Sequence, residues 1–170
     1  MLRMIIIPWL GRSHKPGFLL LLLCILSCAH QDESSANRLM LQANMAAFDR
    51  QYEEALDLLQ AATKNDPEFA PAWLSKGMVY RRLQNDPLAA KCYEVAQLLY
   101  RKKHMAAPDN LDYIKGYAEA LSLLGRKEEA LNLLDTAIAR FPRERSLLSF
   151  KEVIKRPHPL GFDEPVGTGQ

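Results

Sequence analysis

Small and large apolar residues alternate along the middle of the chain at helical spacing. Counted from Ala70, Trp73, Gly77 and Tyr80 stand at positions 4, 8 and 11, and Ala89, Tyr93 and Ala96 at positions 20, 24 and 27. Large–small–large followed by small–large–small is the pattern of two antiparallel helices that interlock. Gly77 and Ala89 let the backbones approach, while Trp73, Tyr80 and Tyr93 fill the space around them. The pattern returns upstream. From Ala36 the matching slots hold Leu39, Ala43, Ala55, Leu59 and Ala62, with Pro67 closing the unit; Ala46 replaces an aromatic and Gln42 is polar. It returns downstream from Leu111, with Ile114, Tyr117, Ala118, Leu121, Ala130, Leu134, Ala137 and Pro142. The openings Tyr52-Glu-Glu-Ala-Leu56 and Arg126-Lys-Glu-Glu-Ala130 put acids in the first turn of a helix, where its dipole is positive.

The spacing of the units is uneven. The second follows the first by 34 residues, but the third begins at 111 instead of 104, a surplus of 7. Seven residues are nearly two helical turns, about 10 Å, and restore almost the same face. The run Leu99-Tyr-Arg-Lys-Lys-His104 contains no helix breaker before Pro108, so the surplus predicts an extended second helix in the middle unit. Beyond Pro142, Arg143 to Ile154 reads as one more amphipathic helix, with Leu147, Leu148, Phe150 and Ile154 to pack, stopped by Pro157-His-Pro159. The remaining tail is rich in Pro and Gly and poor in apolar residues, which predicts disorder.

Three windows in one register, about 34 residues long with these small and large slots, resemble the tetratricopeptide repeat over residues 36–142. The resemblance implies an all-α solenoid of three helix–turn–helix repeats, at 36–69, 70–110 and 111–142. A capping helix at 143–155 follows, then a disordered tail at 156–170. It also implies that the first helix of each repeat lines a concave groove through positions 2, 5, 9 and 12. Here these are Asn37, Met40, Asn44 and Ala47; Pro71, Leu74, Met78 and Arg81; Asp112, Lys115, Glu119 and Ser122. Met40, Leu74 and Met78 would form an apolar centre, with Arg81, Lys115 and Glu119 bringing charge toward the last repeat, a surface suited to a peptide or helix of a protein partner. Some members of the family grip a C-terminal carboxylate with Lys, Asn, Asn, Lys and Arg. The five slots here hold Met40, Asn44, Ser75, Asp112 and Gly116, and one match in five excludes that clamp.

Ahead of the repeats, Phe18 to Leu26 is a run of nine apolar residues behind Arg12 and Lys15, the length of a signal-peptide core and far below the roughly 20 needed to span a bilayer. Ile25-Leu26-Ser27-Cys28 resembles the bacterial lipobox, although Leu26 is bulkier than the usual spacer residue. That resemblance implies a signal peptide at 1–27, lipid on the Cys28 thiol and a tether at 28–35. More than one acyl chain is required for a stable anchor. Ala29 follows the cysteine, with no retention acid, which favours the periplasmic side of the outer membrane; an ordinary cleaved leader would instead give a soluble secreted or periplasmic protein.

The rest of the composition removes other classes. The formal charge of +2 includes Arg3, Arg12 and Lys15 of the leader; without them 19 basic residues face 20 acidic ones. A near-neutral chain offers no electrostatic footprint for nucleic acid. Once the leader cysteines are set aside, Cys92 stands alone and no disulfide framework exists. His30, His104 and His158 have no acid or cysteine at triad or metal spacing, and there is no Gly-rich phosphate loop. The expectation is therefore a non-enzymatic scaffold with no cofactor, metal or small-molecule substrate. It would be lipid-anchored in a bacterial envelope, where it could assist assembly of a pilus or secretion machine. The alternative is a periplasmic chaperone-like carrier of exported polypeptides.

Overall fold

Helix after helix, joined by turns of a few residues, makes up everything described in this computed structural model, which covers residues 35–156. The leader, Cys28 and nearly all of the tail fall outside these residues. In chain order the helices are α1 (35–48), α2 (Tyr52–Asn65), α3 (Ala70–Arg82), α4 (Asp86–Ala106), α5 (Leu111–Leu123), α6 (Lys127–Arg140) and α7 (Arg145–Lys155). No strand occurs among the described residues, and none of the described helices is long and apolar enough to cross a membrane. The architecture is an all-α helical solenoid.

Each pair of helices turns through a residue in left-handed backbone. Arg50 (φ 63°), Gln84 (φ 58°) and Gly125 (φ 77°) occupy the same place in the three pairs. Only the third carries the residue that adopts this conformation without steric cost. Gln84→Gly should therefore raise the stability measured by urea unfolding by about 0.5–1 kcal/mol, the relief of a crowded Cβ less the extra freedom glycine gains when unfolded. A loss of stability would show that the Gln84 side chain is needed where it stands. The starts of α4 and α5 are secured by side chains. Asn85 accepts from the Leu88 N–H (3.3 Å), and Asn110 accepts from those of Asp112 (3.0 Å) and Tyr113 (3.2 Å).

Three cores run along the stack. Ala36, Ala43, Ala55, Leu59, Ala62 and Val79 build the first, Leu74, Ala89, Tyr93, Ala96, Tyr100 and Leu123 the second, and Ile114, Ala118, Leu134, Leu147 and Ile154 the third. Of the three aromatics in the founding window, only Tyr93 is fully buried. Trp73 and Tyr80 lie partly buried at the rim of the middle core, and the Trp73 indole donates to the Pro67 carbonyl (3.0 Å). α7 contributes Leu147 and Ile154 to the last core, with Phe150 partly buried beside them, while Leu148 stays 47% exposed.

The longest helix is α4. It has 21 residues against 14 in both α2 and α6, a difference equal to the seven-residue surplus. What those two extra turns do is visible at two glycines. Tyr93 lies flat against Gly77 of α3, where a Cβ would stand 2.4 Å from Cε1 of its ring. Tyr100, seven residues later, repeats the arrangement against Gly116 of α5, where a Cβ would stand 2.2 Å from Cε1. One long helix thus closes against both the helix before it and the helix after it through the same tyrosine-on-glycine contact.

Candidate functional site on the first helices

The residues assigned to a groove are distributed over α1, α3 and α5, the first helix of each pair. On α1, Asn37 and Asn44 are exposed and Met40 packs on the first core. On α3, Leu74 is only 4% exposed and belongs to the middle core, so its side chain is occupied inside the protein; Met78 and Arg81 are half-buried. On α5, Lys115 and Glu119 are half-buried. Arg81, Asp86 and Glu119 all act electrostatically on the Tyr93 phenol, and Glu119 and Asp112 on that of Tyr100. Burial pushes both phenols up, so they stay neutral proton donors at any physiological pH.

Most charges in this region have a partner. Arg81 pairs with Asp86 (3.3 Å) and Lys115 with Asp112 (3.0 Å). Among the described residues Glu119 makes neither a hydrogen bond nor an ion pair. Desolvation by burial pushes its carboxyl up. The Tyr93 hydroxyl is buried and also lacks a hydrogen-bond partner. Sequence reasoning placed Glu119 here and read Tyr93 only as packing; nothing in the residue order marks that phenol oxygen as unsatisfied.

Two other features bear on function. The basic run Arg101 to His104 is drawn into neighbouring elements: Lys102 pairs with Glu68 (2.6 Å), Lys103 sits over the Tyr113 ring (5.9 Å), and the His104 ring lies 6.2 Å from that of Tyr117. On the opposite side of α1 from its core residues, Leu41, Met45 and Phe48 are 54%, 69% and 88% exposed, an apolar stripe that sequence reasoning did not single out. Its signal was the helical spacing 41, 45 and 48, out of phase with Ala36, Ala43 and Ala46. Cys92 is buried, and burial pushes its thiol up, which leaves it unreactive. Among the described residues no group of histidines, cysteines and acids could hold a metal ion.

Residues 40–110 match the sequence model of the tetratricopeptide repeat family. Over this span, less than half of the chain, the sequence is similar to the tetratricopeptide repeat. No curated protein matches it. Solved structures with similar backbones include the first tetratricopeptide domain of Spaghetti (RPAP3) bound to an HSP90 peptide, at 18% identity and TM-score 0.46, covering 72% of this chain and 94% of that one. The second such domain of human RPAP3, in complex with an HSP70 peptide, gives 20% identity and TM-score 0.44, covering 75% and 98%. An O-GlcNAc transferase mutant from Thermobaculum terrenum gives 19% and 0.47; 76% of this chain aligns with 24% of that one. In the tetratricopeptide register, the departure of this chain lies in the second repeat, whose second helix is two turns too long.

Proposed function

We propose that this protein is a non-enzymatic scaffold that holds a peptide or helix of a partner protein along the groove formed by α1, α3 and α5. The observation that carries the reading is the tetratricopeptide match itself. Such domains generally serve as interaction scaffolds and bind peptides, and the first helices here present a mixed apolar and charged surface that their own fold does not fully consume. Met40 and Met78 offer adaptable apolar contact, and Arg81, Lys115 and Glu119 offer charge. Asn37 and Asn44 extend the surface onto α1, and Leu74 supports it from beneath. The leader and Ile25-Leu26-Ser27-Cys28 support a lipid anchor at Cys28, on the periplasmic side of an outer membrane, and a role in assembling an envelope machine such as a pilus or secretion system.

The partner reading is tested by crosslinking in intact envelopes followed by purification of the full chain. A scaffold yields one defined partner in stoichiometric amount. Many weak clients would establish the chaperone-like carrier instead. The anchor is tested separately: Cys28→Ser should abolish labelling with radioactive palmitate and move the protein out of the membrane fraction. Unchanged labelling would remove the lipoprotein reading and leave the groove untouched.

A further inference from the structure

We infer that the exposed stripe on α1 is a dimer interface, on which two copies of this chain pair their first helices antiparallel about a two-fold axis. Its four seam residues, Arg38, Leu41, Met45 and Phe48, include none assigned to the groove, and the inference depends on neither the groove nor the lipid anchor.

The repeat itself says what belongs on this face. The slots of Leu41, Met45 and Phe48 recur 34 residues on as Ser75, Val79 and Arg82 of α3, and a further 41 on as Gly116, Ala120 and Leu123 of α5. All of these but Arg82, in the last turn of α3, are buried. Their cover is the preceding helix, α2 on α3 and α4 on α5, each running antiparallel to the helix it covers. Val79 shares a core with Leu59 of α2, and Ala120 and Leu123 share one with Tyr100 of α4. On α1 the same slots stand open and hold three large apolar side chains. The outer face of a terminal repeat that meets only water is polar, and this one is not.

The shape of the stripe asks for a helix. Arg38, Leu41, Met45 and Phe48 are spaced 3, 4 and 3 residues apart, the seam by which one helix packs knobs into the holes of another. Leu41, Asn44, Met45, Phe48 and Asp49 line an open hollow suited to such a knob. A helix that lies on a membrane has a polar face rich in cations, whereas here Asn37, Gln42 and Asn44 flank a narrow seam and an acid, Asp49, closes it. The charges select a second copy. Arg38 and Asp49, at opposite ends of the seam, are exposed and make no ion pair among the described residues. The antiparallel register that uses all four positions sets Leu41 of each copy on Met45 of the other, and Arg38 against Phe48 and Asp49. Two-fold symmetry makes every one of these contacts twice. A parallel pairing would instead set Arg38 on Arg38.

The experiment is sedimentation equilibrium of the full chain in density-matched detergent, from about 1 to 200 µM. Wild type should fit a monomer–dimer equilibrium with a dissociation constant of about 1–20 µM, weak because one helix pair is smaller than a standard interface. Met45→Glu sets an unpaired carboxylate against Leu41 of the other copy and should leave the chain monomeric throughout, a weakening of at least about 30-fold. That variant keeps the same leader and any lipid, so association through the micelle is common to both chains. Arg38→Asp and Asp49→Arg should each weaken the dimer by about 3- to 10-fold, and the double variant should regain most of the loss, because the exchange restores both ion pairs. None of these side chains belongs to a packed core, so the circular dichroism and melting temperature of the monomer should stay those of wild type. A wild-type chain that is monomeric over the whole range overturns the proposal and leaves the stripe to another occupant. A dimer that Met45→Glu leaves intact also overturns it, by putting the contact elsewhere. A double variant no better than its parents does the same, because the helices then do not pair antiparallel.

Discussion

Tyr93→Ala should cost about 3–5 kcal/mol of unfolding free energy, the range for removing a large aromatic side chain from a packed core. Domains of this kind have a total stability of roughly 5–15 kcal/mol, so the variant should sit close to its unfolding threshold at room temperature. Tyr93 is fully buried among Leu74, Ala89, Ala96 and Leu123, and its ring occupies the gap that Gly77 leaves open. The small residues around it cannot expand to fill the space, so the cavity persists. The matching control is Tyr93→Phe. It removes only a hydroxyl that has no hydrogen-bond partner and should leave stability unchanged or raise it by up to about 1 kcal/mol. Urea midpoints with unchanged slopes measure both. An alanine variant within 1 kcal/mol of wild type would mean that the ring is not the keystone of the middle core.

The founding window was legible because small residues at fixed spacing say where two helices touch, whatever surrounds them. Gly77, Ala89 and Ala96 were read from spacing alone, and all are buried at the α3–α4 contact. Trp73 and Tyr80 occupy large slots in the same pattern yet stay at the rim. Spacing fixes the direction of a side chain but not how much of the next repeat arrives to cover it. The left-handed turns were half legible. Gly125 declares itself, but Arg50 and Gln84 have no preference for positive φ, and their conformation is imposed by the helices on each side.

Less of the site could be read, for a related reason. Assigning Leu74 to a groove followed from its position in the repeat, but α4 and the last turns of α5 bring the middle core over it. Glu119 was nameable from position, whereas its lack of a partner depends on where Arg81 and Lys115 send their charges. Arg81 reaches across the turn to Asp86 and Lys115 reaches back to Asp112 on its own helix. Which of several cations answers which acid is a three-dimensional outcome. Gly116 was passed over because the register puts the small slot of the third repeat at Ala118, two residues on.

That glycine gives the second large effect. Gly116→Ala should destabilise the protein by about 1–3 kcal/mol, although alanine is favoured over glycine by about 1 kcal/mol in a helix interior. Gly116 lies inside α5, and the new Cβ would fall 2.2 Å from Cε1 and 2.3 Å from Cζ of Tyr100. Tyr100 is itself only 8% exposed, so its ring has no solvent to retreat into, and α4 and α5 must move apart. The sign of the effect depends on that ring. With Tyr100→Ala in place the obstruction is gone, and adding Gly116→Ala should then stabilise by about 1 kcal/mol through helix propensity. A double-mutant cycle should therefore show the same substitution reversing sign between the two backgrounds, a coupling of roughly 2–4 kcal/mol when the overpacking and propensity figures are combined. Additive changes would mean that Tyr100 and Gly116 do not bear on each other and that the extra turns of α4 have another purpose. Coupling of the expected size would tie those seven residues to the junction between the second and third repeats. The chain then departs from the common period because one helix has been lengthened to seat a second tyrosine on a second glycine.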